Sequence, residues 1–417
     1  MTPRKLHVIF YTFYFPPEIG APQSRLSYNA EYLVSQGHRV TVLTTMPNYP
    51  HGIVRPGYRG RWFHREEWRG CDVLRAWAHT SPNRNFLNRL ASFVTFNAAS
   101  NLLTLPRMDR PDAILVESPP LLNGASAALW RRLKGAALVM HISDLEIHAL
   151  LEFKMLPGPA APLLKGFQRT ILSQADAVVT VSDYCKEDLV AGGAPPDRTA
   201  VIPNGVDVDL FTPAADPRPW RERLGLPQDV RLAIYAGTHG HMHGVEQIVE
   251  AAHLLRDEPI FILMVGDGVG KAGALRRAQE YGLRNIRFLC AQPLEILADY
   301  LKAADIGLST LTSRETNHSV IPVKMLTYMA CGLPTVSSDR HHCRQILEES
   351  RGAGVLVPPD DSRALAEAIR LLAGDAAARR EMGARGREYV LRGWSRKTQA
   401  ARLLDVLYEA CKRRGRA

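Results

Sequence analysis

One feature constrains this chain more than any other: short, continuous apolar segments recur between helix-like stretches along nearly all of its length. "KLHVIFYT" (5–12), "HRVTVLT" (38–44), "DAILVE" (112–117), "AALVMHI" (136–142), "DAVVTVS" (176–182) and "TAVIP" (199–203) form a first series. "VRLAIYAG" (230–237), "IFILMVG" (260–266), "IRFL" (286–289), "DIGLST" (305–310), "PTVSS" (334–338) and "GVLVP" (354–358) form a second. Strands without polar alternation are buried on both faces, so alternation with helices predicts parallel sheets covered on both sides. Twelve such strands exceed one doubly wound sheet, and two α/β domains are expected. Between the series, "IPNGVDVDLFTPAADPRPW" (202–220) is rich in Pro, Asp and Gly, lacks periodicity and reads as a linker. Open α/β sheets bind ligands beyond the carboxyl ends of their strands, so two Rossmann-like domains are expected to face a cleft.

Composition excludes several classes. At 417 residues the chain is long enough for two real cores, and no run of 18 apolar residues marks a transmembrane helix. The first residues run into Pro16-Pro17-Glu18 without a small-residue cleavage site and read as a buried strand rather than a signal peptide. Six scattered cysteines, none in a CxxC pair, suit a reducing, cytoplasmic setting and no metal site. The net charge of +10 favours phosphates or anionic lipid. Arg55, Arg59, Arg61, Arg65 and Arg69 crowd one stretch, which either faces a membrane or is solvated surface. Nucleic acid is not expected, because no aromatic stacking platform accompanies the basic patches.

Candidate site residues lie where strands end. In "FYFPPEIGAPQSR" (13–25), Gly20, Ala21 and Arg25 sit at a helix start where backbone can approach a phosphate, or form an ordinary connecting loop. In "YAGTHGHMHGVEQIVEAA" (235–252), Gly237, Thr238, His239, Gly240 and His243 lead from a strand into a helix N-terminus suited to an anion. The spaced histidines lack an acidic ligand, which argues for phosphate over metal. "ILMVGDGVGK" (262–271) fails the dinucleotide fingerprint at Lys271, although Gly266, Asp267 and Gly268 could wrap a base or ribose. "VMHISDLEIHALLE" (139–152) puts His141 and Asp144 at a strand end, Asp144 as a site residue or a helix cap. "NFLNRLASFVTFNAASNLLTLPR" (85–107), flanked by Arg84, is mostly apolar; it docks on a membrane, shapes a groove or is simply buried. In "IPVKMLTYMACGLPTVSS" (321–338), Pro322 starts a helix, Met325, Leu326 and Met329 share its apolar face, and Gly332 ends it.

The ordered set "FPPEIGAPQSR", "GHRVTVLT", "IPNGVD", "YAG…HGVEQIVEAA", "VGDG" and "PVKMLTYMACGLPTVSS" resembles glycosyltransferase family 4, of the two-domain GT-B fold. "MPNYPHGIVRPGYRG" (46–60) is similar to the bacterial surface-polysaccharide and O-antigen branch, several of whose members are N-acetylfucosaminyl- or fucosyl-type transferases. The resemblance implies an acceptor-binding domain over 1–202, a linker over 203–220 and a nucleotide-sugar domain over 221–392. A last helix, over 393–417, would cross back to the N-terminal domain. It implies retaining transfer from a UDP- or GDP-sugar with no cofactor and no obligatory metal.

Where the family often carries diphosphate-binding cations this chain has Thr238 and His243, and where it often carries two glutamates it has Ser319 and Thr327. Lys324, in the first turn of its helix, is then expected to hold the departing diphosphate, and Thr327 to offer a hydroxyl to the ribose. Asp144 or the donor's own phosphate would take the acceptor proton, with His141 orienting the sugar. The basic surface points to a lipid-linked saccharide acceptor, with peripheral contact at an anionic membrane on the cytoplasmic side. A sugar-nucleotide 2-epimerase and a non-catalytic nucleotide- or lipid-binding partner are the alternatives.

Overall fold

The computed structural model describes residues 4–18, 20–49, 51–83, 85–152, 161–313, 321–338 and 342–415. The chain divides into two compact units, residues 1–203 with 399–417, and residues 204–398.

The first unit begins β1 (His7–Tyr11), α1 (Ala21–Ser35), β2 (Arg39–Thr45), β3 (Phe63–Trp68), β4 (Cys71–Ala76) and α2 (Phe86–Ala99). It continues with β5 (Ala113–Ser118), α3 (Asn123–Lys134), β6 (Ala137–Ile142), α4 (Glu146–Glu152), α5 (Ala161–Gln174), β7 (Ala177–Thr180), α6 (Asp183–Ala191) and β8 (Thr199–Val201). Its sheet has the order β3-β4-β2-β1-β5-β6-β7-β8. Every pairing is parallel except that of β3 with β4. The expectation of purely parallel sheets is corrected there. "FHREEW" is an antiparallel edge strand whose half-exposed, alternating residues carry no apolar run. β1 lies between β2 and β5, so the chain reverses its direction of winding there, the position where such sheets take ligands.

Alternate residues of β1 enter different cores, which is why the strand is apolar throughout. Val8 and Phe10 pack with Leu26 and Leu33 of α1, and Ile9 and Tyr11 with Phe96, Trp130 and Leu172 on the other face. Each fully buried side chain of this size contributes about 1.5–3 kcal/mol.

The second unit contains α7 (Arg218–Arg223), β9 (Arg231–Ala236), α8 (Val245–Leu254), β10 (Ile260–Val265), α9 (Lys271–Glu280), β11 (Ile286–Leu289) and α10 (Leu294–Ala303). There follow β12 (Ile306–Ser309), α11 (Val323–Ala330), β13 (Thr335–Ser337), α12 (His342–Glu349), β14 (Gly354–Leu356), α13 (Ser362–Gly374) and α14 (Ala376–Gly393). Its parallel sheet runs β11-β10-β9-β12-β13-β14. Residues 204–220, read as linker, fall within this unit: Val206 and Phe211 are buried in its core, and the Val206 N–H donates to the Trp394 carbonyl at 2.8 Å. The last helix, α15 (Arg396–Arg413), buries Leu403, Leu407, Ala410 and Cys411 in the core of the first unit.

Two of the five arginines of the Arg55–Arg69 stretch pair with carboxylates within the first unit. Arg65 pairs with Asp72 at 2.8 Å through two bonds, and Arg69 with Glu31 at 2.8 Å while lying over the Trp68 ring. Arg59 donates to the Val54 carbonyl and Arg61 bonds His64.

Candidate active site

At the carboxyl ends of β1, β5 and β6 the first unit gathers Arg25, Glu117, His141 and Asp144. The loop after β1 is fixed before it reaches them. Buried Glu18 accepts the N–H groups of Asn48 and Tyr49, each at 2.7 Å, and fully buried Arg75 donates to the Pro16 carbonyl and to Glu66. Gly20 then precedes α1, whose first turn has no side-chain cap. A side chain at Gly20 would collide with the Gln23 amide, so the glycine makes room for a neighbouring side chain.

Arg25, expected in the acceptor or phosphate loop, turns to Glu117 and forms an ion pair with it. Glu117 also accepts from His141 Nδ1 at 2.6 Å and from Ser143 Oγ at 3.0 Å. Burial alone would raise the Glu117 carboxyl, but Arg25, His141 and these bonds bring it down to about 2. Burial lowers the His141 imidazolium, against the pull of Glu117. The ring is therefore held neutral, with its proton on Nδ1 and Nε2 as an acceptor. Asp144 stands at the exposed edge of the cluster. Desolvation raises its carboxyl and the Arg25 charge opposes the rise. Glu146, two residues on, accepts the Leu121 N–H at 2.7 Å, and His148 pairs with Asp188 at 3.1 Å.

Glu117 was not foreseen. It closes the apolar run "DAILVE", and a lone carboxylate at the carboxyl end of a doubly covered strand was the available signal. A cavity of about 320 Å³ reaches Pro119 and Pro120, just past the Glu117 strand, and is lined by aromatic rings (Tyr14, Tyr49, Phe93), by Asn48 and Asn88, and by Arg89.

In the second unit, Gly237, Thr238, His239, Gly240 and His243 follow β9, and Gly266, Asp267 and Gly268 follow β10. The two loops are laid backbone against backbone. The Gly237 N–H donates to the Val265 carbonyl at 2.9 Å and the His239 N–H to the Asp267 carbonyl at 3.0 Å. A side-chain carbon at Gly266 would lie 1.9 Å from the Gly237 carbonyl oxygen, and one at Gly268 2.6 Å from that of His239. These two glycines, at φ 147° and 156°, thus serve loop packing. Asp267 is held by Lys271 at 2.8 Å and by the Ala291 N–H at 2.7 Å.

Lys324 lies in the first turn of α11, behind Pro322, which stands at the N-cap position rather than inside the helix. No side chain among the described residues caps that turn. Gly237 adjoins the ammonium: a side-chain carbon there would rest 3.4 Å from Lys324 Nζ. Lys324 Nζ donates to the Tyr235 hydroxyl at 2.8 Å and lies 4.2 Å from the centre of that ring. No carboxylate among the described residues pairs with it, and desolvation drives its pKa down to about 7. His239 is fully buried with neither ring nitrogen hydrogen-bonded among the described residues, and His243 Nδ1 is likewise without a partner. Burial, then neighbouring lysine charge, brings both imidazoles down to about 4. Thr327 Oγ1 donates back to the Val323 carbonyl at 2.9 Å. In this arrangement its proton is engaged within the helix, which leaves the oxygen of the hydroxyl expected to meet a ribose as an acceptor. Ser319 lies outside the described residues. Among the described residues no group of three or more His, Cys, Asp or Glu is arranged to hold a metal.

A buried acid–base cluster at one parallel sheet, and an uncompensated lysine beneath a glycine loop at another, form the kind of equipment that group transfer from an anionic donor requires. Residues 20–205 match the Glycosyl transferase 4-like domain and residues 216–389 the Glycosyl transferases group 1 domain; the chain belongs to this glycosyltransferase family and has the GT-B fold. It is 30% identical over 374 residues to WcaI of Escherichia coli (strain K12), named as a colanic acid biosynthesis glycosyl transferase, covering 88% of this chain and 91% of that one. The sucrose-phosphate synthase of Thermosynechococcus elongatus superposes with a TM-score of 0.72 at 22% identity, covering 96% of this chain and 98% of that one. Anabaena HepE in complex with UDP and glucose superposes with a TM-score of 0.70 at 16% identity, over 97% and 99% of the two chains.

Proposed function

We propose that this glycosyltransferase moves a sugar with retention of configuration from a nucleotide sugar, UDP-linked by preference, to a lipid-linked or growing polysaccharide acceptor of a cell-surface glycan. The observation that carries the reading is Lys324: a desolvated ammonium in a first turn beside Gly237, with neither a carboxylate partner nor a side-chain cap to that turn among the described residues. An ammonium so placed stabilises negative charge developing on a departing nucleoside diphosphate, without a required metal. Its similarity to WcaI supports the surface-glycan setting, and the UDP complex of the structurally similar HepE supports the donor class. An N-acetylated deoxy sugar fits the "MPNYPHGIVRPGYRG" resemblance.

In this reading the bond from the anomeric carbon to the diphosphate breaks as the acceptor oxygen attacks the same face. Asp144, its carboxyl raised by desolvation, takes the acceptor proton, and neutral His141 accepts from a sugar hydroxyl through Nε2. The enzyme works in the cytoplasm, at the inner face of the membrane. Neither an epimerase nor a non-catalytic partner accounts for both halves of the equipment.

The test incubates the purified protein with UDP-, GDP- and dTDP-sugars and a membrane extract containing polyprenyl-diphosphate saccharides, with and without EDTA. Nucleotide release from one donor, dependent on the lipid acceptor and unchanged by EDTA, is expected. Release that stops with EDTA would refute metal independence, and no release from any donor would refute the transferase reading.

A further inference from the structure

The helix α2 is apolar on both sides. Its inward side joins Phe96 and Ala99, buried in the core, to a set of amides: Asn97 Nδ2 donates to Asn123 Oδ1 at 3.1 Å, Asn97 Oδ1 accepts from Tyr11 at 3.0 Å and Ser126 at 2.7 Å, and Asn101, just beyond, bonds Ser126 and Trp130. Its outward side is apolar as well. Leu87 is 72% exposed, Leu90 44%, Val94 49% and Leu102, in the π-helical continuation Ser100–Thr104, 73%. Steps of three, four and eight residues put these four on one line of the helix. A water-facing helix is polar on its outer side, and an exposed contiguous apolar stripe marks a surface that docks. Leu90 shares a cavity wall with Leu164 and Phe167 of α5, and Leu133 of α3 and Leu163 of α5 are exposed at 63% and 77%.

The charge of this helical layer selects the occupant. Residues 86–107, 123–134 and 161–174 carry two, three and two Lys or Arg residues and no Asp or Glu; Arg131 among them pairs with Asp176, and the adjoining α4 adds Glu146 and Glu152, so cations stay in excess. Lys165 and Arg169 are exposed beside Leu163. Two copies of this chain joined through the stripe would set cations against cations. An anionic lipid surface matches both the leucines and the charge.

We infer that α2, with its continuation to Leu102 and the flanking cations of α3 and α5, is the face by which this protein lies on an anionic bilayer. The inference rests on the proposed lipid-linked acceptor for its purpose, since the same helix lines the 320 Å³ cavity with Asn88, Arg89 and Phe93. Docking through the outer side of α2 sets the mouth of that cavity at the height of lipid headgroups. It also puts the membrane-facing element on α2 rather than on the Arg55–Arg69 stretch, where Arg65 and Arg69 are taken up by Asp72 and Glu31.

The experiment floats the full chain, without donor or acceptor, on vesicles of phosphatidylcholine alone or mixed with phosphatidylglycerol. Binding to the anionic vesicles only, weakened by salt, is expected. Changing Leu87, Leu90, Val94 and Leu102 together to Ser should lower the partition at least about tenfold with helix content and thermal midpoint retained. The same change at Val269, Leu371 and Leu391, exposed in the second unit, should not. Equal binding to neutral vesicles, undiminished binding of the stripe variant, or a lipid-free dimer that the stripe variant dissolves would each overturn the inference. Stripe-dependent binding by a protein that transfers to no lipid-linked acceptor would support the docking face and remove only the acceptor reading.

Discussion

The two units treat their charges in opposite ways. In the first, Arg25, Glu117, His141 and Ser143 close a network in which each named charge meets a partner before any substrate arrives. In the second, Lys324 has a phenol and no carboxylate, and the His239 ring has no hydrogen-bond partner, among the described residues. The first arrangement fixes a tautomer and therefore a direction for proton transfer. The second keeps desolvated cationic capacity in reserve, at a cost to stability that binding an anion relieves. A satisfied cluster suits a neutral hydroxyl acceptor, and an unsatisfied one suits a diphosphate.

The sharpest way to break this contrast is Lys324→Ala. Loss of an ammonium that acts on the departing diphosphate should lower kcat/KM by about 100- to 1000-fold; steady-state kinetics with the identified donor measures it. Asp144→Asn should remove the proton acceptor at a cost of about 100-fold or more in kcat and abolish the acid limb of the rate profile. A profile retaining that limb would assign the proton to the donor's phosphate instead.

Glu117→Gln probes the closed network. It removes one member of a buried ion pair, and a loss of about 3–5 kcal/mol in denaturant unfolding is expected. The pH dependence has a definite sign. Glu117 titrates near 2 in the folded protein against an ordinary 4.5, so its contribution is present above 4.5 and fades as pH falls toward 2. The variant should lack that part of the acid loss.

Lys324 has the opposite consequence. Its folded pKa of about 7 lies below the ordinary 10.5, so between these values the unfolded chain binds the proton and the folded chain does not, and stability rises with pH. Lys324→Met should therefore raise the thermal midpoint at pH 7 by a few degrees, where about 1 kcal/mol corresponds to about 2–4 °C, while donor use is lost. Thr327→Ala should have the smallest effect, below about threefold in KM, because its hydroxyl proton is already engaged by Val323.

Most of the fold was legible because parallel strands covered on both faces must be apolar at every residue, as Val8 to Tyr11 and Leu232 to Ala236 are. β3 and β4 were not read, since "FHREEW" pairs only at an edge and carries charge on both faces. The place of Lys324 in a first helical turn was legible because a proline and a helical apolar face flank it. The role of Gly266 and Gly268 was not, because a sequence does not distinguish a glycine that admits a ligand from one that admits a neighbouring loop. Glu117 was hidden inside its own strand, and the outward turn of Leu87, Leu90 and Val94 was ambiguous because amphipathic spacing does not say which side of a helix faces the core.

The central claim, that the second unit holds an anion-ready lysine, is tested most directly by calorimetric titration of UDP, GDP and dTDP into the wild-type protein and Lys324→Ala between pH 7.5 and 9. The affinity of the preferred nucleotide should fall in the wild type by up to about tenfold per pH unit, as one proton must be taken up on binding. The variant should bind more weakly with no such slope. Equal affinities with equal slopes would contradict the account.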